Sequence, residues 1–212
     1  MTFDTFNIAI SKIKNLKLPG SKSQFKMSPP FREELIERQK ESIKYAREAA
    51  VMALFYPNQE GETMLVLILR KTYKGVHSAQ VGFPGGKLEA NETLKEAAIR
   101  ETYEEVGVEA SEIEVLKAMT PVYIPPSNFY VHPFIGLANQ TPSFTKQDEE
   151  VEDIIEVKLS HFLDDSITTT KTVTTSYKVN VSVPAYKLNG HIVWGATAMM
   201  LSEVKDLLKQ VL

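Results

Sequence analysis

The chain has no cysteine. Disulfides, thiolate nucleophiles, Cys-ligated zinc and iron–sulfur clusters are therefore excluded. It has no excess of positive charge. Lys and Arg number 24 against 27 Asp and Glu, for a formal net charge of −3. Binding to nucleic acid through a broadly basic surface is not expected. Long apolar stretches are also missing. A membrane span needs about 18 such residues, and the longest runs here are 49–56 and 64–69. No membrane partner is expected. The first residues carry Asp4 and no apolar core ending in small residues, so they do not read as a secretory signal. A cytoplasmic location is the expectation.

What is present is ordinary globular material. The 212 residues are 43% apolar and 24% charged, enough for one self-supporting core with or without an extension. Residues 1–48 read as an N-terminal helical extension, and residues 49–212 as the main domain. In the extension Phe6, Ile10 and Ile13 fall at helical spacing. Pro19-Gly20 breaks that helix, and Pro29-Pro30 bars helix before Phe31. Residues 32–49 are rich in helix formers. Runs 50–56 and 64–70 read as strands buried on both faces, joined by the turn-like Pro57-Asn58-Gln59-Glu60-Gly61. Further strands are expected at 114–123, 129–137, 154–159, 169–179 and 182–188. A closing helix is expected at 197–211, with Met199 and Met200 filling core. Interleaved strands and helices give an α/β class with a mixed sheet between helices.

The clearest helix lies between Thr93 and Gly107. Thr93-Leu94-Lys95-Glu96 is a capping box, and Gly107 supplies a left-handed stop. Winding at about 100° per residue puts Ile99, Thr102, Tyr103 and Val106 on one side, the expected core face. Glu101, Glu104 and Glu105 fall on the other. Like charges at this spacing repel, so the helix calls for a counter-charge. A hard divalent cation such as Mg²⁺, which prefers oxygen ligands, would supply it; a solvated acidic face is the plain alternative. Arg100 stands four residues from both Glu96 and Glu104 and is expected to pair with them. Upstream, Gly85-Gly86 permits a close backbone approach. Its carbonyl could reach a cation and its amides a phosphate. Glu92, between turn and helix, could tie the loop down.

Gly86, five residues, Glu92, seven residues, then Arg100-Glu101-Thr102-Tyr103-Glu104-Glu105-Val106-Gly107-Val108 resembles the Nudix box. Thr102 replaces a usual aliphatic residue. The segment Arg70, six residues, then His77-Ser78-Ala79-Gln80-Val81-Gly82-Phe83-Pro84-Gly85-Gly86-Lys87 is similar to the signature of the coenzyme A pyrophosphatase branch. So are Tyr123-Ile124-Pro125-Pro126-Ser127 and Trp194-Gly195-Ala196-Thr197-Ala198. The chain departs from that signature at Lys71, Gly75 and Ala79.

The resemblance implies an α/β/α sandwich that hydrolyses nucleoside diphosphate derivatives with Mg²⁺ or Mn²⁺. Coenzyme A or acyl-coenzyme A would be cut to 3′,5′-ADP and (acyl-)4′-phosphopantetheine. It further implies Glu101, Glu104, Glu105 and the Gly85 carbonyl as metal ligands, with Arg100 and Glu92 organising them. The base would be Glu105 or an acid of the later 147–153 loop, Glu150 before Glu152. Arg70, Lys71, Lys74, His77 and Gln80 are the implied substrate contacts, the two lysines as point charges for a 3′-phosphate. Tyr123, Phe129 and Tyr130 could stack on adenine or line a pantetheine channel, or be core. Trp194 reads as packing. ADP-ribose, NADH or a nucleoside triphosphate are alternative substrates, and a non-catalytic nucleotide-binding module is the alternative class. A homodimer is left open.

Overall fold

The two apolar runs pair with each other at the centre of the molecule. In the computed structural model, which describes residues 1–72, 80–174 and 180–212, α1 (Phe3–Ile10), α2 (Ser21–Gln24) and α3 (Arg32–Arg38) come first. Strands β1 (Arg47–Pro57), β2 (Thr63–Arg70), β3 (Val81–Gly82) and β4 (Gly85–Lys87) lead into α4 (Leu94–Val106). Next are β5 (Ile113–Ala118), β6 (Val122–Ile124), β7 (Phe129–Ala138), β8 (Val151–Lys158) and the short α5 (Leu159–Leu163). Strands β9 (Thr168–Val173), β10 (Val181–Leu188) and β11 (His191–Trp194) precede α6 (Gly195–Leu208).

Strands β1 and β2 are antiparallel, with Phe55 opposite Leu65. Asn58 closes their turn: its Oδ1 accepts from the amides of Glu60 (3.1 Å) and Glu62 (2.8 Å). Strand β7 runs parallel to β1 from Arg47–Phe129 to Phe55–Leu137. Strands β5 and β6 pair antiparallel with β7, β3 and β8 with β2, and β4 with β1. The sheet is therefore mixed, with eight strands among the described residues; β9, β10 and β11 form a second, antiparallel sheet. Period-two alternation covers both faces of β1. Ala50, Met52, Leu54 and Tyr56 pack with Ala97, Ala98 and Val106 of α4. Ala49, Ala53 and Phe55 pack with Phe6, Ile10 and Ile13 of the N-terminal segment and with Met199, Leu201 and Val204 of α6. This is the α/β/α sandwich, with N-terminal helices seated in its main core.

Several elements differ from the sequence reading. Helix α3 ends at Arg38, a 3₁₀ turn spans Ser42–Tyr45, and β1 already starts at Arg47. Pairing of Arg47, Glu48 and Ala49 with Phe129, Tyr130 and Val131 overrides their helical propensity. The strand expected at 114–123 is two strands, interrupted before Val122 by Pro121, which cannot donate to a ladder. Strand β9 stops at Val173, and residues 175–179 of that expectation lie outside the described residues. The core face of α4 is also rotated. Tyr103 is 48% exposed, whereas Glu105 is 2% exposed. Ala97 and Ala98 let the helix approach the sheet on its acidic side, so Glu101 and Glu105 lie inward while Glu104 stays exposed.

One buried carboxylate fastens the N-terminal segment to the domain. Glu203 of α6 is fully buried. Its Oε1 accepts from Gly20 N (3.0 Å) and Thr120 Oγ1 (2.6 Å). Its Oε2 accepts from Gln24 Nε2 (2.9 Å) and Thr120 N (3.3 Å). Glu203→Ala strands these donors and is expected to cost about 3 kcal/mol. A urea-melt midpoint equal to wild type would remove Glu203 from the forces that hold the segment.

Candidate active site

Helix α4 is placed by its ends. Thr93 Oγ1 accepts from Glu96 N (3.2 Å), and Glu96 Oε2 accepts from Thr93 N (2.7 Å). Gly107 takes φ 79° at the other end. The 144–150 segment then folds back over this C-terminus: Thr145 N donates to Val106 O (3.0 Å) and Gln147 N to Glu105 O (3.2 Å). These bonds bring Glu150 beside the acids of α4.

The Gly85-Gly86 turn is pressed between β1 and α4. A Cβ on Gly85 would lie 2.4 Å from Ala50 O, and one on Gly86 would lie 2.2 Å from Glu101 Oε1. Gly85 N donates to Glu105 Oε2 (2.7 Å). The other oxygen, Oε1, stands 3.1 Å from Arg70 Nη1 yet receives no aligned hydrogen bond. Burial pushes the Glu105 carboxyl up to about 7, against the pull of Arg70 and the Gly85 amide and with a further push from Glu101 and Glu150. Burial also raises Glu101, opposed by Arg100. Glu101, Glu105 and Glu150 thus share one field.

Two arginines manage this charge. Arg100 meets Glu92 (2.9 Å), Glu101 (3.0 Å) and Glu104 (2.8 Å), and donates to Lys87 O (3.0 Å). The expected Glu96 pair is not among its contacts, because Glu96 is taken by the cap. Glu92 accepts from Glu89 N (2.7 Å), which fastens the loop before the helix. Arg70 Nη1 reaches the Gly85 carbonyl (3.4 Å), and Nη2 stands 3.6 Å from Glu150.

Among the described residues, no three Asp, Glu or His side chains already converge as a metal-holding group. The donor chemistry nevertheless fits a hard cation. Glu101, Glu105, Glu150 and the Gly85 carbonyl offer only oxygens, and buried Glu105 Oε1 lacks a hydrogen-bond donor. Glu104 is half-exposed and turned to Arg100. Glu152 is exposed on β8.

A cavity of about 710 Å³ opens from this turn. Arg70, Gln80, Gly85 and Gly86 line one part of it; Phe31, Arg32, Leu35, Phe129 and Trp194 line another. Phe129 has the Arg47 guanidinium 4.2 Å from its ring centre. Tyr123 and Tyr130 are not part of this lining; their rings meet at 5.5 Å, tilted by 42°, and the Tyr123 hydroxyl bonds Asn128 and the lining residue Gln39. The Lys71 amide donates to Glu150 O (2.9 Å). Lys74 and His77 lie outside the described residues. The wall from α3 was not read from the sequence, because nothing local links Phe31 or Arg32 to the box.

A fold with these layers and an acid-bearing helix against a Gly-Gly turn defines a known class. The NUDIX domain family model matches residues 46–173, and the chain belongs to the Nudix family. It is 30% identical over 137 residues to the peroxisomal coenzyme A diphosphatase ndx-8 of Caenorhabditis elegans, covering 64% of this chain and 58% of that protein. It is 37% identical over 99 residues to the Nudix hydrolase NudL of Yersinia enterocolitica, covering 46% of this chain and 50% of that protein. The chain thus spans between about half and three-fifths of these relatives. The structure of a MutT/nudix family protein from Enterococcus faecalis shares the fold, with a TM-score of 0.50 and 18% identity over 84% of this chain and 74% of that one. Among the described residues, no helix is long and apolar enough to cross a membrane.

Proposed function

We propose that the chain is a divalent-metal-dependent diphosphatase acting on a nucleoside diphosphate derivative, with coenzyme A or acyl-coenzyme A as substrate. The products are 3′,5′-ADP and (acyl-)4′-phosphopantetheine. The observation that carries the reading is buried Glu105, its Oε1 met by Arg70 without an aligned hydrogen bond, in the field of Glu101 and Glu150 and bonded to Gly85, which lines the cavity. The name of the C. elegans relative supports the substrate class.

In this reading Glu101, Glu104, Glu105 and the Gly85 carbonyl hold Mg²⁺ or Mn²⁺. When bound, the metal neutralises diphosphate oxygens and acidifies the attacking water. Arg100, fixed by Glu92 and Lys87 O, sets the rotamers of Glu101 and Glu104. Glu150 is more than half exposed and takes the water proton at a carboxylate oxygen. Arg70, Lys71 and Gln80 are assigned to the substrate phosphates, together with Lys74 and His77 from outside the described residues. The apolar walls from Phe31, Leu35 and Phe129 exclude water from the bound tail.

The test is product analysis with coenzyme A and ADP-ribose, in Mg²⁺ and then Mn²⁺. Release of 3′,5′-ADP from coenzyme A, lost in EDTA, is expected. Turnover of ADP-ribose alone would keep the chemistry and overturn the substrate. Tight nucleotide binding without turnover in either metal would make the chain a binding module.

A further inference from the structure

Arg32 is an unusual cation for a domain of this size. It is only 9% exposed, it lines the cavity, and it sits where α3 begins. Its Nη2 donates to Tyr123 O (2.6 Å), and its Nε finds no acceptor. No carboxylate forms an ion pair with it among the described residues; burial lowers its pKa, opposed by the Tyr130 hydroxyl. A buried guanidinium without a counter-ion costs several kcal/mol, so its retention calls for an anion.

A second feature of the same cavity has the same sign. The first residues of α6, Gly195, Ala196 and Thr197, are part of the lining. This helix is 14 residues long, and among the described residues no side chain caps its N-terminus. Its first amides therefore remain donors at the positive end of the helix dipole. Trp194, just before it, packs in one apolar cluster with Phe31 and Leu35, which flank Arg32. The packing thus ties the helix start and the guanidinium to one wall. Arg70 and Gly85, which meet Glu105, line the cavity elsewhere.

We infer that Arg32 and the N-terminus of α6 form a second anion subsite, which receives a phosphate of the substrate other than the diphosphate that is cut. This rests on the proposed diphosphatase reading and narrows its substrate class to nucleotides bearing an additional phosphomonoester. The subsite discriminates by charge: a dianion supplies the counter-charge that Arg32 lacks, and guanidinium can meet it through two parallel N–H bonds. An otherwise identical nucleotide without that phosphate leaves the guanidinium unpaired.

The probes are adenosine 3′,5′-bisphosphate and adenosine 5′-monophosphate, with affinities measured by calorimetry on the full chain. Coenzyme A and 3′-dephospho-coenzyme A are compared in turnover. Wild type is expected to favour the extra phosphate at least tenfold in Kd, and in KM rather than kcat. Arg32→Gln should collapse that ratio toward one, and Arg32→Lys should retain part of it. Thermal melts show which variants fold; if Arg32→Gln does not, the wild-type ratio and Arg32→Lys carry the test. A wild-type ratio near one, or an unchanged ratio in a folded variant, overturns the subsite. Coenzyme A turnover with no preference over its dephospho form would overturn the subsite and leave the diphosphatase reading standing. A bisphosphate preference lost in Arg32→Gln, without hydrolysis of coenzyme A, would support the subsite and overturn coenzyme A as the substrate.

Discussion

Glu105→Gln is expected to lower turnover by at least about 10³-fold, equivalent to about 4 kcal/mol of barrier, while making the metal-free protein more stable at pH 8. The two effects share one cause. Glu105 is buried, its Oε2 accepts from Gly85 N, and its Oε1 has no aligned donor. A Gln carbonyl can still accept from Gly85, so the fold keeps that bond. What disappears is a buried negative charge, which the metal-free fold disfavours and metal binding would need. The sign of the pH effect follows from the carboxyl being raised from 4.5 to about 7. The folded state binds this proton more tightly than the unfolded chain. Its contribution is therefore complete below about pH 4.5 and is lost as pH rises through about 7, for a total of about 3 kcal/mol. Urea melts in EDTA from pH 4.5 to pH 8 should show this decline in wild type and a shallower one in Glu105→Gln. Added Mg²⁺ should restore wild type at pH 8 and leave the variant unmoved. Equal pH slopes, or turnover within tenfold of wild type, would remove Glu105 from its proposed role.

The features legible in the sequence were those set by local rules. Thr93, Glu96 and Gly107 mark the ends of α4 because a cap needs only its own four residues and a left-handed stop needs only a glycine. The apolar runs of β1 and β2 announced a sheet covered on both faces, because continuous burial leaves no polar alternation. Structure and sequence pattern part where a distant element decides the outcome. The helical wheel set Tyr103 inward, but which side of α4 approaches the sheet depends on Ala97 and Ala98 meeting β1 and on the bare Gly86 Cα meeting Glu101. Arg100 had equally spaced partners in Glu96 and Glu104, and the cap removed one of them. Arg32 was invisible as a site residue: its acceptor is 91 positions away, and its exceptional feature is a missing partner. Spacing can reveal pairs along a helix, but it cannot reveal an unmatched charge in a tertiary wall.

Adjacent glycines should fail in different ways. An alanine Cβ at Gly85, which adopts φ 154°, would stand 2.4 Å from Ala50 O and 2.6 Å from Val51 Cα. Both atoms are backbone of the central strand β1, which at this point pairs with β7 on one side and with β4 itself on the other. Neither can yield without breaking the sheet, so Gly85→Ala is expected to cost about 4 kcal/mol from overpacking and strain together. At Gly86 the atom in the way is Glu101 Oε1, at 2.2 Å. That is the far end of a side chain, and it can swing aside at the expense of its contact with Arg100. Gly86→Ala should therefore melt within about 1–2 kcal/mol of wild type. Its penalty should instead appear as a roughly 100-fold weaker response to Mg²⁺, since a displaced carboxylate no longer meets a cation in the same place. Turnover titrated against Mg²⁺ separates the two, because excess metal should partly restore Gly86→Ala. A Gly86→Ala protein with the wild-type Mg²⁺ dependence would take Glu101 out of the proposed ligand set, however well the helix is capped. Gly85→Ala with wild-type stability would mean that β4 can part from β1, and the carbonyl offered to the metal would then have no fixed position.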